Sequence, residues 1–501
     1  MYRFVNLTER GTRSTSLSIQ TIFNGINLDE LLTDKNGSFT TLTVTGRSNI
    51  NNRLNTFEVP GRDGLMESNE YTRREKEIVV KYQMSDKTNE GFRVRYNRLN
   101  DLLSGIKKAL MFTDENYIFY STLSVNDVPE ENSNSLVGTL TFLCADPNKY
   151  GPERNGTISN DEGYIDYNGT AETKPTFSFD VLAPITHLDI VGDNGYIRIG
   201  DPYTVEETPF EPETIILNDN MSTLTGWGPA SSVDGGTVAG QMSVLNGNDF
   251  IASDYGSGSS WHGPSVKKSL SQQLQDFKVE CYFRQAAYVN PKDTGRVELY
   301  LLDINNNVIA KLGLADAWKN MPKNCAEVRL GDTSNNNYMV NTSGETDTWW
   351  NNFQGVIRLE RIGTKFFAYV ANITRDSAGK HFRTWFTGFD DLEEKYQGKV
   401  AQVQLHLGCY GTHTAPSQAF QRIKVSKVNQ PVTNQVPYIA LSGDKIDINF
   451  KKSEILINGE ERKDLKDFGA SFFTFKKGRN NLFILPEGKV STTVTWREAF
   501  K

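Results

Sequence analysis

The stretch Val59-Pro60-Gly61-Arg62-Asp63-Gly64-Leu65 is the point from which the first ~150 residues can be laid out. Pro60 fixes φ, and Gly61 and Gly64 admit positive φ, so the run reads as a tight, rigid turn. A strand-like run, Leu54 to Val59, enters it. A charged run, Tyr71 to Glu77, leaves it and leads into Ile78-Val79-Val80. It is not a phosphate loop, because no Gly-Lys-Ser/Thr follows and no apolar helix opens on the second glycine.

The totals narrow the class. At 501 residues the chain should hold two to four domains. Aromatic residues make up 11%, with 28 Phe and 20 Tyr, a weighting that favours strands, and 41 Gly point to many turns. The net charge of -7 argues against a nucleic-acid binder and against docking on an anionic membrane. No apolar run approaches ~20 residues, so no membrane span is expected. Met1-Tyr-Arg-Phe4 is followed by no apolar run, so no secretory signal is expected. Cys144, Cys281, Cys325 and Cys409 lie far apart without a C-x-x-C, which fits reduced, mostly buried thiols and folding in a cytoplasm.

Residues 1–152 read as an α+β unit. Phe92, Tyr96, Leu99, Leu102, Leu103, Ile106 and Leu110 recur at three- and four-residue spacing and predict one helix of about five turns. Ala109 to Tyr120 and Leu136 to Leu143 read as strands. Residues 153–212 and 429–501 are both strand-rich, and each is too short for a good core by itself. Together they predict one discontinuous β-sandwich, with Asp193-Asn194-Gly195 and Asn458-Gly459 as hairpin turns. Pro202, Pro209, Pro212, Pro431 and Pro437 flank the interruption, as suits an inserted domain with adjacent ends.

Residues 213–428 form that insert. Short strands between Gly/Asn/Ser turns predict a β jelly roll. In Lys278–Arg284, Arg296–Leu302, Val356–Arg361 and Val400–Cys409 an apolar set alternates with a polar one. The fold class is therefore mainly β, with one α+β domain.

Three further stretches accompany the opening turn. They are Leu140-Thr-Phe-Leu-Cys-Ala-Asp-Pro147 with Tyr150-Gly151, Asn168-Gly-Thr-Ala171 with Pro175, and Gly443-Asp-Lys445 through Gly478-Arg-Asn480. In this order, with Val59, Pro60, Gly61, Arg62, Asp63 and Gly64, they resemble the siphophage distal tail proteins over about the first 210 and last 70 residues. The resemblance implies a ring-forming N-terminal domain and a galectin-like sandwich. It also implies a hexameric hub in the virion, at the tail tip, assembled in the host cytoplasm. The partners it implies are the tail tube, the tape-measure protein, the tail-associated lysin and receptor-binding proteins. The insert resembles, in pattern only, the concanavalin-like jelly rolls used as carbohydrate-binding modules.

No H-E-x-x-H, G-x-S-x-G or facing carboxylate pair marks an enzyme, and no cofactor is expected. His406-x-x-Cys409-x-x-x-His413 reads as a surface histidine and a core cysteine rather than a metal site. Asp303-x-Asn305-x-Asn307 reads as a hairpin tip rather than a calcium loop, and Asp390-Asp-Leu-Glu-Glu394 as a solvated charge run. The polar faces of the insert supply Tyr282, Arg284, Glu298, Tyr300, Arg358, Glu360, Gln404 and His406 as candidates for holding host cell-wall polysaccharide. An ordinary solvated sheet face is the plain alternative. Trp349-Trp350 cannot both point inward from a strand, so one is expected to be exposed and to bind. The rival functions are a tail-associated enzyme degrading polysaccharide through the insert, and a free adhesin.

Overall fold

The computed structural model describes residues 19–130, 133–159, 161–287 and 290–501. Met1–Phe4, where no secretory run is expected, lies outside them. The strands gather around three hydrophobic cores, drawn from residues 23–144, from residues 158–199 together with 440–496, and from residues 221–425.

In the first, the strands Gly37–Thr45, Lys76–Asp86 and Ser135–Cys144 pair antiparallel. They put Phe39, Ile78, Val80, Tyr82, Leu140 and Phe142 in the core. The helix Asn89–Leu102 packs Phe92 and Leu99 into it, and the Thr88 side chain caps it by accepting from Gly91 N–H at 3.0 Å. This helix is shorter than the apolar spacing predicts. Gly105 at φ 103° and Lys107 at φ 51° take the left-handed conformation, which a right-handed helix cannot include. Ile106 is exposed in the turn, and Leu110 belongs to the strand Lys108–Phe112. A second helix of one turn, Leu28–Leu31, carries too few residues for a periodic signal.

The turn quoted first joins the strands Asn52–Phe57 and Met66–Arg73, a hairpin exposed along nearly its whole length. Gly61 and Gly64 both have positive φ, at 83° and 82°. The charged run Tyr71 to Glu77 therefore spans the end of the hairpin's second strand and the start of the core strand Lys76–Asp86.

The second core is built from both sides of the insert. Thr176–Val181 lies between Lys445–Asn449 and Val490–Phe500, and Glu162–Tyr167 pairs with Gly478–Leu485. Asn458 at φ 51° and Gly459 at φ 83° form the hairpin turn between Glu454–Ile457 and Glu460–Glu461. Lys149–Ile158 runs along Val490–Phe500 and touches Glu115–Asp127 at Tyr150, so one sheet passes from the first core to the second.

The insert leaves and returns at one place. Thr208–Phe210 runs parallel to Gln435–Pro437, and Asn429 N–H donates to Pro212 O at 2.8 Å. Its first strand, Glu213–Asp219, pairs with its last, Ser417–Val428. Among the described residues, an eight-stranded and a nine-stranded sheet face each other across the third core. Val279, Cys281, Phe283, Val297, Leu299, Leu301, Ile357, Leu359, Val403, Leu405 and Leu407 all point inward, as their alternation predicts. Trp350 is fully buried in this core, and its Nε1–H donates to Arg383 O at 3.1 Å.

Two outcomes follow from this packing. Trp350→Ala should lower stability by about 3–5 kcal/mol, the cost of emptying a fully buried indole site, read as a loss in urea midpoint at unchanged slope. A small change would show that the site collapses without a cavity. Removing residues 213–428 and joining Pro212 to Asn429 by a short Gly/Ser linker should leave a soluble chain that unfolds cooperatively in calorimetry. Loss of folding would show that the second core needs the insert.

Candidate functional site

The eight polar candidates alternate with core residues as the sequence requires, but they do not share a face. Phe277–Ala286 and Asn352–Ile362 belong to the eight-stranded sheet, and Gly295–Leu302 and Val400–Tyr410 to the nine-stranded one. Tyr282, Arg284, Arg358 and Glu360 thus stand on one outer face of the insert, and Glu298, Tyr300, Gln404 and His406 on the opposite one. The expectation of a single open glycan-binding face is corrected accordingly. Strand alternation fixes in against out within a strand, not which sheet a strand joins.

The first face is a seam with the discontinuous sandwich. Arg358 donates twice to Glu460, at 2.7 and 2.8 Å, and its guanidinium lies 4.6 Å from the Tyr369 ring centre. Lys380 pairs with Glu454, and His381 N–H donates to Gly459 O at 2.9 Å. Val356, Tyr369 and Ala371 are buried here, with Tyr282 and Ile373 packed on them. Burial opposes the charge on Arg358, but the Glu460 carboxylate holds its guanidinium protonated beyond its ordinary range. Burial raises the Glu360 carboxyl pKa, and nearby Lys278 and Arg358 oppose the shift. Arg284, on the same face, pairs with Asp249 at 3.4 Å.

The second face is covered by the chain's own segment Ser232–Val238. Gln404 Nε2 donates to Ser232 O at 2.8 Å, Asp234 N–H to Tyr300 Oη at 3.3 Å, and Arg329 pairs with Asp234 at 2.5 Å. Glu298 is 3% exposed and Tyr300 1%, so neither meets solvent. Burial works against ionising Glu298, yet Lys311 and Arg296, helped by His406 and the Tyr300 hydroxyl, hold its carboxyl at about 2. Burial pushes His406 down to about 4, against the pull of Glu298. Lys311 is shared between Glu298 at 3.2 Å and Glu327 at 2.7 Å. The face is a closed ionic network.

Cys409 Sγ lies 3.6 Å from His262 Nε2, while His406 Nδ1 contacts Pro264 O and His413 Nδ1 contacts Thr294 Oγ1, so the three do not converge. No group of three or more metal-ligating side chains occurs among the described residues. Asp303 accepts from Asn305 and Asn307 N–H at 2.7 and 2.8 Å and closes a hairpin tip. Asp391 is buried rather than solvated, because it accepts from Lys395 and Tyr396 N–H at 2.9 and 2.8 Å.

A polar concavity on the insert stays open. A cleft of about 370 Å³ is lined by Asn352, Gln354, Asn372, Thr374, Arg375 and Phe382. Ile373 completes it and also packs against the seam. Asn352 and Gln354 project together because they flank the core residue Phe353. Trp349 is half-buried beside it. The Arg383 guanidinium stands 5.7 Å from the Trp349 ring centre and 5.9 Å from that of Phe382. None of the ten candidates lines this cleft. A signal was present in His381–Asp390, where Phe382 and Phe386, both exposed, recur four apart.

Two family models match the chain. The phage tail protein RIFT-related domain matches residues 17–144, and the siphovirus-type tail component, C-terminal domain, matches residues 411–500. No curated protein matches. Among solved structures, the chain is similar to the SPP1 Dit protein, described as a paradigm of hub adsorption apparatus in Gram-positive infecting phages. That match has 21% identity, 36% of this chain, 74% of that chain and a TM-score of 0.32. The CBM2 module of the evolved Dit of Lactobacillus casei BL23 phage J-1 matches at 12% identity, over 44% of this chain and 99% of that chain, with a TM-score of 0.37. A glycosyl hydrolase family protein from Mycobacterium fortuitum matches at 9% identity, over 42% and 99%, with a TM-score of 0.28. With one phage-tail family model matching at each end of the chain, the matches support a siphophage distal tail protein.

Proposed function

We propose that the chain assembles into a hexameric ring at the distal end of the tail tube, and that its insert holds host cell-wall polysaccharide without cutting it. The observation that carries the ring is the hairpin Asn52–Arg73. Leu54, Phe57, Val59, Leu65 and Tyr71 are all exposed on it, with Phe57 at 52% and Leu65 at 59%. A two-stranded hairpin with apolar side chains in water is marginal alone and gains stability by lying against another surface. A neighbouring copy supplies that surface in a closed ring. The tail tube, the tape-measure protein, the lysin and the receptor-binding proteins are the further partners of such a hub. The chain would be made and assembled in the host cytoplasm.

Hydrolysis through the insert has less support. A retaining or inverting glycosidase needs one carboxyl kept protonated as the acid. Glu298 is held ionised between Lys311 and Arg296 and lies under the Ser232–Val238 segment.

Native mass spectrometry should find a hexamer for the full chain, and Phe57→Asp with Leu65→Asp should shift it to monomer at an unchanged melting temperature. A wild-type chain that stays monomeric at high concentration, with no ring in assembled tails, would overturn the assembly. Incubated with purified host walls, the full chain should pellet with them and release no soluble sugar. Released sugar would favour the enzyme instead.

A further inference from the structure

The proposal for the insert names a ligand but leaves open where on its surface the ligand sits. Of the two sheet faces put forward by the sequence, one is covered at its middle by the sandwich and the other is capped at Tyr300, Gln404 and Arg329 by Ser232 and Asp234. We infer that the Phe382 cleft is the saccharide site and that it takes a neutral hexopyranose of a polysaccharide. This rests on the reading of the insert as a wall-binding module.

Three features of the cleft bear on the ligand. Its polar lining is mostly carboxamide, from Asn352, Gln354 and Asn372, with Thr374 and the exposed Arg375 beside them. An amide presents a donor and an acceptor in one plane, as vicinal sugar hydroxyls do, and carries no charge. Asn372 Oδ1 accepts from Gln354 N–H at 3.2 Å, so this amide is fixed before any ligand arrives. None of the lining residues is a carboxylate, so the cleft offers neither a cation site nor the acid for glycoside cleavage.

Phe382 supplies the apolar element. It is 39% exposed, and its ring can lie against the C–H face of a pyranose. Its placement is built into the backbone. The register between Lys365–Ile373 and His381–Asp390 shifts between Val370 and Asn372, and Arg383 takes φ 51° inside that bulge. A bulge re-aims the side chains of its strand, and a left-handed residue other than Gly, Asn or Asp is held there only by its surroundings. Here Arg383 Nη1 donates to Trp349 O at 2.7 Å, and Trp350 Nε1–H donates to Arg383 O at 3.1 Å. The buried Trp350 thus anchors the bend that carries Phe382. Across the strands, Gly355 leaves no room for a side chain, since a Cβ would lie 1.9 Å from Ala371 O. The cleft's volume of about 370 Å³ falls at the low end for ligand sites, which fits a short saccharide segment.

The test is affinity electrophoresis of the full chain through gels containing dextran, galactan, mannan or polygalacturonate. At least one neutral polymer should retard the wild type. Phe382→Ala should weaken that retardation about tenfold or more, Gln354→Ala several-fold, and Phe382→Tyr should restore it. Phe386→Ala, on the same strand but outside the cleft, should change nothing. Melting temperatures check that each variant is folded. Retardation of Phe382→Ala equal to wild type, retardation by polygalacturonate alone, or none by any neutral polymer would overturn the assignment. Wall pelleting separates the two ideas. If wild type and Phe382→Ala both pellet with walls, the cleft is wrong and wall binding stands. If neither pellets, wall binding falls and the cleft with it.

Discussion

Thr176–Val181 is hydrogen-bonded on one side to Lys445–Asn449 and on the other to Val490–Phe500. The rest of the molecule depends on this three-strand contact. It brings together segments some 260 residues or more apart in the chain, and Phe177, Phe179, Ile446, Ile448 and Val494 close the core beneath it. Whatever lies between must leave and return at one edge. The parallel pair Thr208–Phe210 and Gln435–Pro437 meets that requirement, and the insert's first and last strands pair directly beyond it. Loop closure grows only slowly more costly with length, so an insert of this size adds little entropy cost once its own core forms. The same sheet runs into the N-terminal core through Tyr150 against Ile118, which ties the two halves of the chain without a flexible linker.

The two outer faces of the insert carry the same kind of sequence and meet different fates. Each places charged side chains where a solvated sheet would have them, and each is then covered. A covered charge is tolerable only when it is paired and hydrogen-bonded. On the seam the pairing is Arg358 with Glu460, a bidentate contact across two folding units. On the other face it is a chain of ion pairs from Arg296 through Glu298 and Lys311 to Glu327, with Arg329 reaching up to Asp234. Both networks specify one mode of covering, because a slipped register would strand a buried ion.

Much of this was legible in the sequence, and the limits have a physical cause. Period-two alternation put Val279, Cys281 and Phe283 inward, and the turn pairs Asp193-Asn194 and Asn458-Gly459 fell where two-residue hairpins form. These are local properties. The helix was overextended because Ile106 and Leu110 continue a three-and-four spacing past Gly105, and spacing does not register a left-handed backbone. The candidate site failed at longer range. Arg358 and Glu460 are 102 residues apart, and Gln404 and Ser232 are 172 apart. Nothing within either strand announces what will lie on it. Trp349 and Trp350 were distinguishable only as a pair with one member exposed, and the structure puts Trp350 inside.

The seam occupies the middle of one sheet, Ser232 and Asp234 cap Tyr300, Gln404 and Arg329 on the other, and a polar concavity lies at the end of Asn352–Ile362, where the bulge at Arg383 turns the edge strand. Its position has a mechanical consequence. Ile373 belongs both to the cleft and to the apolar group buried in the seam. The cleft is therefore held in a fixed attitude to the sandwich, and through the shared sheet to the N-terminal core. In a ring of such chains every cleft would face the same way. One shallow saccharide site binds weakly, and several rigidly aligned ones bind a repeating polymer at an effective concentration set by their spacing rather than by a linker. In such a ring, rigidity at the seam would contribute to adsorption as directly as any contact made in the cleft itself.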